Sequence, residues 1–313
     1  MPKVTIVGAG QVGATTALRL AEADLADTVI IDIEYGLARG KALDMSHALS
    51  LTSSSASIVG GSDYELAEGS DIAVVTAGYP RKPGMSRADL MEANAAVVRE
   101  VITSLVRVAP ACVLIMVTNP LDEMSYLAWR LTGWDRERII GMAGLLDGSR
   151  YACHIAEELG IPPGRVRPMV LGSHGDAMLP LARLSSVEDT AVSEMLPEKK
   201  LEELAHRTRT GGAEVVSLLK EGSAYYAPSA CVAAMIRAIL NNEGLQVPAS
   251  VLLRGEYGLY DVFLGVPIIL GEGGWSRIVE LPLQPGEREG LERCALLIKE
   301  RLVGLDEWLE NSS

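Results

Sequence analysis

Lys3 to Val7, KVTIV, runs straight into Gly8-Ala9-Gly10-Gln11-Val12-Gly13, and a helical stretch follows over 14–23. No other feature constrains the fold as strongly. A short strand rich in β-branched residues, a GxGxxG turn and a helix start in direct succession open a βαβ unit. Gly8 permits the tight turn, Gly10 lets the backbone approach a pyrophosphate, and Gly13 lets helix and strand pack closely. The helix N-terminus offers free N–H groups and a partial positive charge to an anion. A second apolar run, 28–31, ends in Asp32. It stands about twenty residues beyond the glycines, where a carboxylate accepts hydrogen bonds from an adenosine ribose. The same carboxylate repels a 2′-phosphate, and no Arg follows it immediately. The pattern therefore favours NAD over NADP.

The βα rhythm continues. DIAVVT at 71–76 reads as a strand, 87–108 as a helix that stops before Pro110, 113–117 as a strand running into Thr118-Asn119-Pro120, and 138–141 as one more short strand. Strands that alternate with helices, and are apolar throughout, predict a parallel sheet covered on both faces. Past residue 145 the pattern changes. Helical stretches at about 148–159, 198–220 and 226–242 mix with strand candidates at 166–171, 247–253 and 266–270, and a last helix spans roughly 286–303. The expected fold is α/β: a Rossmann-type doubly wound parallel sheet over residues 1–144, followed by a mixed α+β substrate and catalytic domain over 145–313. With no internal repeat, low-complexity segment or obvious linker, the two lobes are expected to pack tightly together.

Composition narrows the partners. A formal net charge of -13 and a pI near 4.9 argue against nucleic acid and anionic membrane. No apolar run approaches the ~20 residues of a bilayer span. The N-terminal stretch superficially suggests a signal peptide, but its three glycines, Arg19 and the lack of a clean cleavage site argue against one. A cytoplasmic location is expected, and Cys112, Cys153, Cys231 and Cys294, with no CxxC, read as free thiols. No metal site is visible. The loop GYPRKPGMSR at 78–87 gathers Arg81, Lys82 and Arg87 without an acid. Either it is a solvated turn or it closes on an anion. Of the four histidines, His174 in LGSHGD follows a strand and sits between Gly172 and Gly175, a setting suited to an acid/base group. His154 and His206 lie in helical stretches, and His47 has no clear context.

These motifs carry a family resemblance. From GAGQVG through PRKPGMSRADL, VTNPLD, GMAGLLDGSR and LGSHGD to GSAYYAP and EYGLYDVFLGVP, the chain resembles the malate dehydrogenases of the lactate dehydrogenase-like type. The resemblance implies reversible hydride transfer between (S)-malate and oxaloacetate with NAD, a step of the tricarboxylic acid cycle. It places the pyrophosphate on Gly8, Ala9, Gly10, Gln11, Val12 and Gly13 and the adenosine ribose on Asp32. It gives Asn94, Val117, Thr118 and Asn119 to the cofactor site, and Asn119 to the substrate as well. Arg150 would grip the C1 carboxylate, Arg87 polarise the carbonyl, and Arg81 bind the second carboxylate from a mobile lid. His174 would exchange the proton, held in its tautomer by Asp147. Lys82 receives no role. The family's residue before the catalytic His is usually Gly or Glu, where this chain has Ser173. Gly148 and Ser149 stand where members often carry Thr and Ala.

The nearest alternative is a lactate or broader 2-hydroxy-acid dehydrogenase on the same scaffold, which should lack the charge at Arg81. An NAD-dependent glycosidase would need a metal cluster, and an inactive NAD-binding protein would not need Arg81, Arg87, Asp147, Arg150 and His174 together. The resemblance also implies a homo-oligomer, a homotetramer ahead of a dimer.

Overall fold

The computed structural model describes residues 1–80 and 86–311. The first half alternates strand and helix, with α2, β3 and α4 added to the elements expected from the sequence: β1 (Lys3–Val7), α1 (Gln11–Glu22), β2 (Asp27–Ile31), α2 (Tyr35–Leu49), β3 (Ile58–Gly61), β4 (Ile72–Val75), α3 (Arg87–Val108), β5 (Val113–Met116), α4 (Leu121–Thr132) and β6 (Ile139–Gly141). The second half begins with α5 (Gly144–Leu159). Short strands follow: β7 (Val166–Arg167), β8 (Val170–Leu171), β9 (Leu179–Pro180), β10 (Ser186–Val187) and β11 (Thr190–Ala191). Then come α6 (Val192–Met195), α7 (Glu198–Leu219), α8 (Tyr226–Leu240), β12 (Leu245–Arg254), β13 (Tyr260–Gly271), β14 (Gly274–Ile278) and α9 (Pro285–Asn311).

Nine strands of the described residues form one sheet in the order β14-β13-β12-β6-β5-β4-β1-β2-β3. β1 to β6 are mutually parallel, and β12 joins antiparallel beside β6 through Ser250 and Gly141. The long hairpin of the second half thus extends the sheet of the first rather than forming a separate one. β4 (IAVV) and β5 (VLIM) are buried along their whole length. Each such aliphatic side chain contributes about 1.5–3 kcal/mol on burial, which explains strands without alternation. A second apolar cluster, around Tyr151, Ile155, Val166, Val170, Met178 and Leu204, joins α5 to β7, β8 and α7.

Three expectations need correction. The segment 166–171 is not one strand, because β7 pairs with β10 and β8 pairs with β9. Helix α5 begins at Gly144, not near 148. The last helix runs on to Asn311.

Candidate active site

The described candidate residues gather where the parallel strands end. The register sets Val7, Ile31, Val75, Met116 and Gly141 side by side. β1 is flanked by β2 on one side and β4 on the other, so strand order reverses there and a crevice lies beyond the strand ends.

At Gly8 the chain turns with φ 111°, and its N–H donates to the Ile31 carbonyl at 2.7 Å. A Cβ at Gly8 would lie 2.5 Å from Thr76 Oγ1, and one at Gly13 would lie 2.0 Å from the Gly8 carbonyl oxygen. Helix α1 therefore sits directly on the turn. Gly10 differs: it is the exposed N-cap of α1, no side chain caps the helix, and a Cβ there would meet nothing within 4 Å. Gln11 and Val12 form the first turn behind it. Asp32 Oδ2 accepts from Ala9 N–H at 2.7 Å and Oδ1 from Glu34 N–H at 3.0 Å, while Lys41 Nζ donates to the Ala9 carbonyl at 2.7 Å. Bare N–H groups on α1, a bare Cα at Gly10 and a carboxylate held to the same loop fit a dinucleotide: pyrophosphate on the helix start, ribose hydroxyls on the free lone pairs of Asp32.

The two helix-facing glycines give opposite expected results. Gly13→Ala drives a methyl into backbone and lowers stability by about 1–3 kcal/mol or more, seen as a fall in Tm. Gly10→Ala, at φ -63° in open space, leaves Tm nearly unchanged yet weakens NADH binding in a fluorescence titration. The reverse pattern would contradict the assignment of the cradle.

On the other side of β1, Thr76 Oγ1 donates to the carbonyls of Val7 and Gly8, and Thr118 Oγ1 donates to that of Ala77 at 2.7 Å. Val117 is half-buried and Asn119 is exposed beyond β5, joined to Pro120 by a cis peptide. Asn94 is fully buried on α3. Its Oδ1 accepts from Tyr79 N–H at 2.7 Å, and its Nδ2 donates to the carbonyls of Tyr79 and Asn119. Asn94 thus ties the base of the cationic loop to the β5 turn. Gly78 packs there too, since a Cβ would lie 2.6 Å from Thr118 Cγ2. A reciprocal capping box between Ser86 and Asp89 fixes the start of α3, whose first residue is Arg87. Arg81 and Lys82 lie outside the described residues.

His174, Asp147 and Arg150 meet. α5 starts directly after β6, which puts Asp147 in its first turn and Arg150 one turn on. Asp147 is 1% exposed. Its Oδ2 pairs with His174 Nδ1 at 2.8 Å and its Oδ1 accepts from Arg150 Nη1 at 3.2 Å. An ionised carboxylate accepts only, so the neutral ring carries its proton on Nδ1 and leaves Nε2 as a proton acceptor. Burial opposes charge on His174. The Asp147 charge and hydrogen bond outweigh it, Asp122 adds to them, and the ring's pKa is raised above the ordinary value. The Arg150 stem lies along Gly211 of α7, where a Cβ would approach its Cδ to 3.3 Å.

Sequence reasoning missed Asp122. It lies in VTNPLD and is 1% exposed, yet it accepts from the His174 backbone N–H at 3.0 Å and from Ser250 Oγ at 2.6 Å. A Ser inside the apolar run of β12 was its only sequence signal. Ser173 is buried, Gly148 packs against Pro168, and Ser149 Oγ bonds the Leu146 carbonyl. His47 and His206 are exposed on α2 and α7, away from the paired groups. His154 is half-buried on α5, with its pKa lowered by burial and by Arg207.

The dinucleotide-binding fold, with a buried Asp147 paired to His174, defines a dinucleotide-dependent oxidoreductase. Residues 2–141 match the lactate/malate dehydrogenase NAD binding domain, and residues 145–304 the lactate/malate dehydrogenase alpha/beta C-terminal domain. A malate dehydrogenase of Nostoc punctiforme is 46% identical over 313 residues, spanning 100% of this chain and 96% of that protein. The Cryptosporidium parvum malate dehydrogenase structure superposes with a TM-score of 0.95 at 36% identity, covering 98% of this chain and 99% of that one. The lactate dehydrogenase of the same organism, solved with lactic acid and β-nicotinamide adenine dinucleotide, gives 0.94 at 33% identity, covering 97% and 98%. The chain belongs to the lactate/malate dehydrogenase family.

Proposed function

We propose that the chain is an NAD-dependent malate dehydrogenase interconverting (S)-malate and oxaloacetate. The observation that carries this reading is the Arg150–Asp147–His174 chain beside the dinucleotide cradle, in a sequence 46% identical to a malate dehydrogenase. NAD, when bound, takes or gives the hydride. The chain's residues do the rest. Arg150 presents a planar fork to the C1 carboxylate, which fixes the substrate against the cradle. Neutral His174 accepts the hydroxyl proton at Nε2 during malate oxidation, and the imidazolium returns it to the carbonyl oxygen in reduction. Asp147 stabilises that imidazolium. Arg87, at the start of α3, would offset the charge on the reacting oxygen, with Asn119 beside it.

The choice of a dicarboxylate rests on Arg81 and the family resemblance. A substrate without a second carboxylate would leave that cation buried and unpaired. The test is NADH oxidation with oxaloacetate and with pyruvate, for wild type and Arg81→Gln. Wild type should prefer oxaloacetate, and the variant should lose at least about tenfold of that preference. A wild-type preference for pyruvate would favour the lactate reading and overturn the role given to Arg81.

The reading extends to a homotetramer, ahead of a dimer, in the cytoplasm, working in the tricarboxylic acid cycle. Self-association draws support from α2, which exposes Tyr35, Leu37 and Leu43, and from α7, which exposes Val216, Leu218 and Leu219. No helix of the described residues is long and apolar enough to cross a membrane.

A further inference from the structure

We infer that Asp122 is a positioning residue for His174, fixing the loop that carries the ring and contributing negative charge to its protonated state. This rests on the proposed role of His174 as the acid/base. The geometry sets Asp122 apart from ordinary packing. Its carboxyl sits at the start of α4, in the first half of the chain, and reaches two elements of the second: the His174 N–H at 3.0 Å and Ser250 Oγ on β12 at 2.6 Å. His174 is therefore held twice, by Asp147 at the ring and by Asp122 at the backbone.

The rest of the loop is anchored independently. Gly172 exchanges two backbone hydrogen bonds with Gly265 at 2.9 Å, and a Cβ on Gly265 would lie 2.5 Å from the Gly172 carbonyl. Cys294 Sγ on α9 donates to the Ala177 carbonyl at 2.9 Å. These contacts hold the two ends, Gly172 and Ala177. At the residue that does the chemistry, Asp122 holds the backbone, so its loss should shift His174 without unravelling the loop.

Among the described residues, the charged and titratable groups around this point lie on four helices, with Cys231 of α8 beside Asp147 and Arg150 and with Arg293 of α9 beside Cys294. α4 supplies Asp122 and Glu123, α5 supplies Asp147 and Arg150, and α9 supplies Cys294 and Arg301, the latter ion-paired with Glu123 at 2.5 Å. β12 supplies only the Ser250 hydroxyl. Burial and the Glu123 charge push Asp122 up to about 7. Each anion near His174 favours the imidazolium, and Arg150 opposes it. Removing the Asp122 charge should lower the His174 pKa even with every hydrogen bond kept.

Asp122→Asn makes that separation. Its amide oxygen still accepts from His174 N–H, and its amide nitrogen can donate to Ser250, whose hydroxyl also accepts. Asp122→Ala removes both bonds. The experiment compares kcat and KM for oxaloacetate across pH in wild type and both variants, and follows the His174 ring by NMR titration without substrate. We expect kcat of the alanine variant to fall roughly ten- to a hundredfold, with NADH affinity unchanged. Asparagine should restore most of that loss while moving both the His174 titration and the alkaline limb of oxaloacetate reduction to lower pH. The idea fails if alanine keeps wild-type kcat. It fails equally if asparagine neither restores kcat nor moves the titration, for Asp122 is then plain packing. If the alanine variant does not fold, the asparagine titration decides alone. Wild-type inactivity on every 2-oxo acid would sink the proposed function, yet the ring titration would still test Asp122.

Discussion

Asp147→Asn lowers kcat for oxaloacetate reduction by on the order of 10³–10⁴ while NADH affinity holds. The magnitude follows the Asp→Asn change in a serine-protease triad, where a buried acid likewise orients a histidine. Asp147 acts on His174 in two ways. Its Oδ2, 2.8 Å from Nδ1, accepts the ring proton and so leaves Nε2 as the nitrogen able to take a proton. Its charge, buried and close, offsets the cost of an imidazolium in a poorly solvated site. An asparagine amide can present its NH₂ to Nδ1 instead, which places the ring proton on Nε2, the wrong nitrogen for malate oxidation. It also loses the charge that pairs with Arg150 Nη1.

The pH dependence carries a definite sign. The folded pKa of His174 is raised, first against burial and then by Asp147. The stability this pair contributes is therefore fully present below the ordinary histidine value of about 6.5 and fades as pH rises through the raised value. In Asp147→Asn the alkaline limb of oxaloacetate reduction moves to lower pH, and the Tm deficit against wild type shrinks on going from acid to alkaline buffer. A loss in kcat under about tenfold would mean that His174 is not oriented through Asp147.

Much of this was legible in the sequence, for identifiable reasons. KVTIV followed by GAGQVG fixes strand, turn and helix locally, because Gly8 and Gly13 answer steric demands that the structure also displays: 2.5 Å to Thr76 at Gly8, 2.0 Å to backbone at Gly13. The strands read well because they are uniformly apolar, as burial on both faces requires. The segments that stayed unread lacked such signals. α2 buries only Ala38, Ala42 and Leu49, so its apolar period is faint. α4 opens with two buried acids, Asp122 and Glu123, which read as surface until their partners Ser250 and Arg301 are seen 128 and 178 residues away. Contacts made across such separations leave no local trace. The roles of Arg150 and Asp147 came from the family resemblance. The structure adds that they stand three residues apart on α5, a spacing that brings the two side chains onto one face.

That spacing leads to the second large effect. Arg150→Lys should raise KM for oxaloacetate near a hundredfold, with kcat falling less and NADH binding intact. One guanidinium nitrogen, Nη1, is already committed to Asp147 at 3.2 Å. The remaining donors of the fork are free to meet a carboxylate along two parallel bonds, which a single ammonium cannot do. Losing one charge-assisted hydrogen bond costs about 1.5–3 kcal/mol, or roughly ten- to 150-fold. Geometry adds to this. The Arg150 stem is 3.3 Å from where a Cβ on Gly211 would stand, so α7 is cut away to seat an arginine of this length and direction. A lysine in the same slot offers one donor site where Asp147 and the substrate compete for it. If Asp147 takes the ammonium, the substrate carboxylate enters without a partner. If the substrate takes it, Asp147 loses its Arg150 contact beside His174. Either way binding suffers before proton transfer does, so the loss falls mainly on KM. A variant in which kcat collapsed while KM held would place Arg150 in the chemical step rather than at the carboxylate.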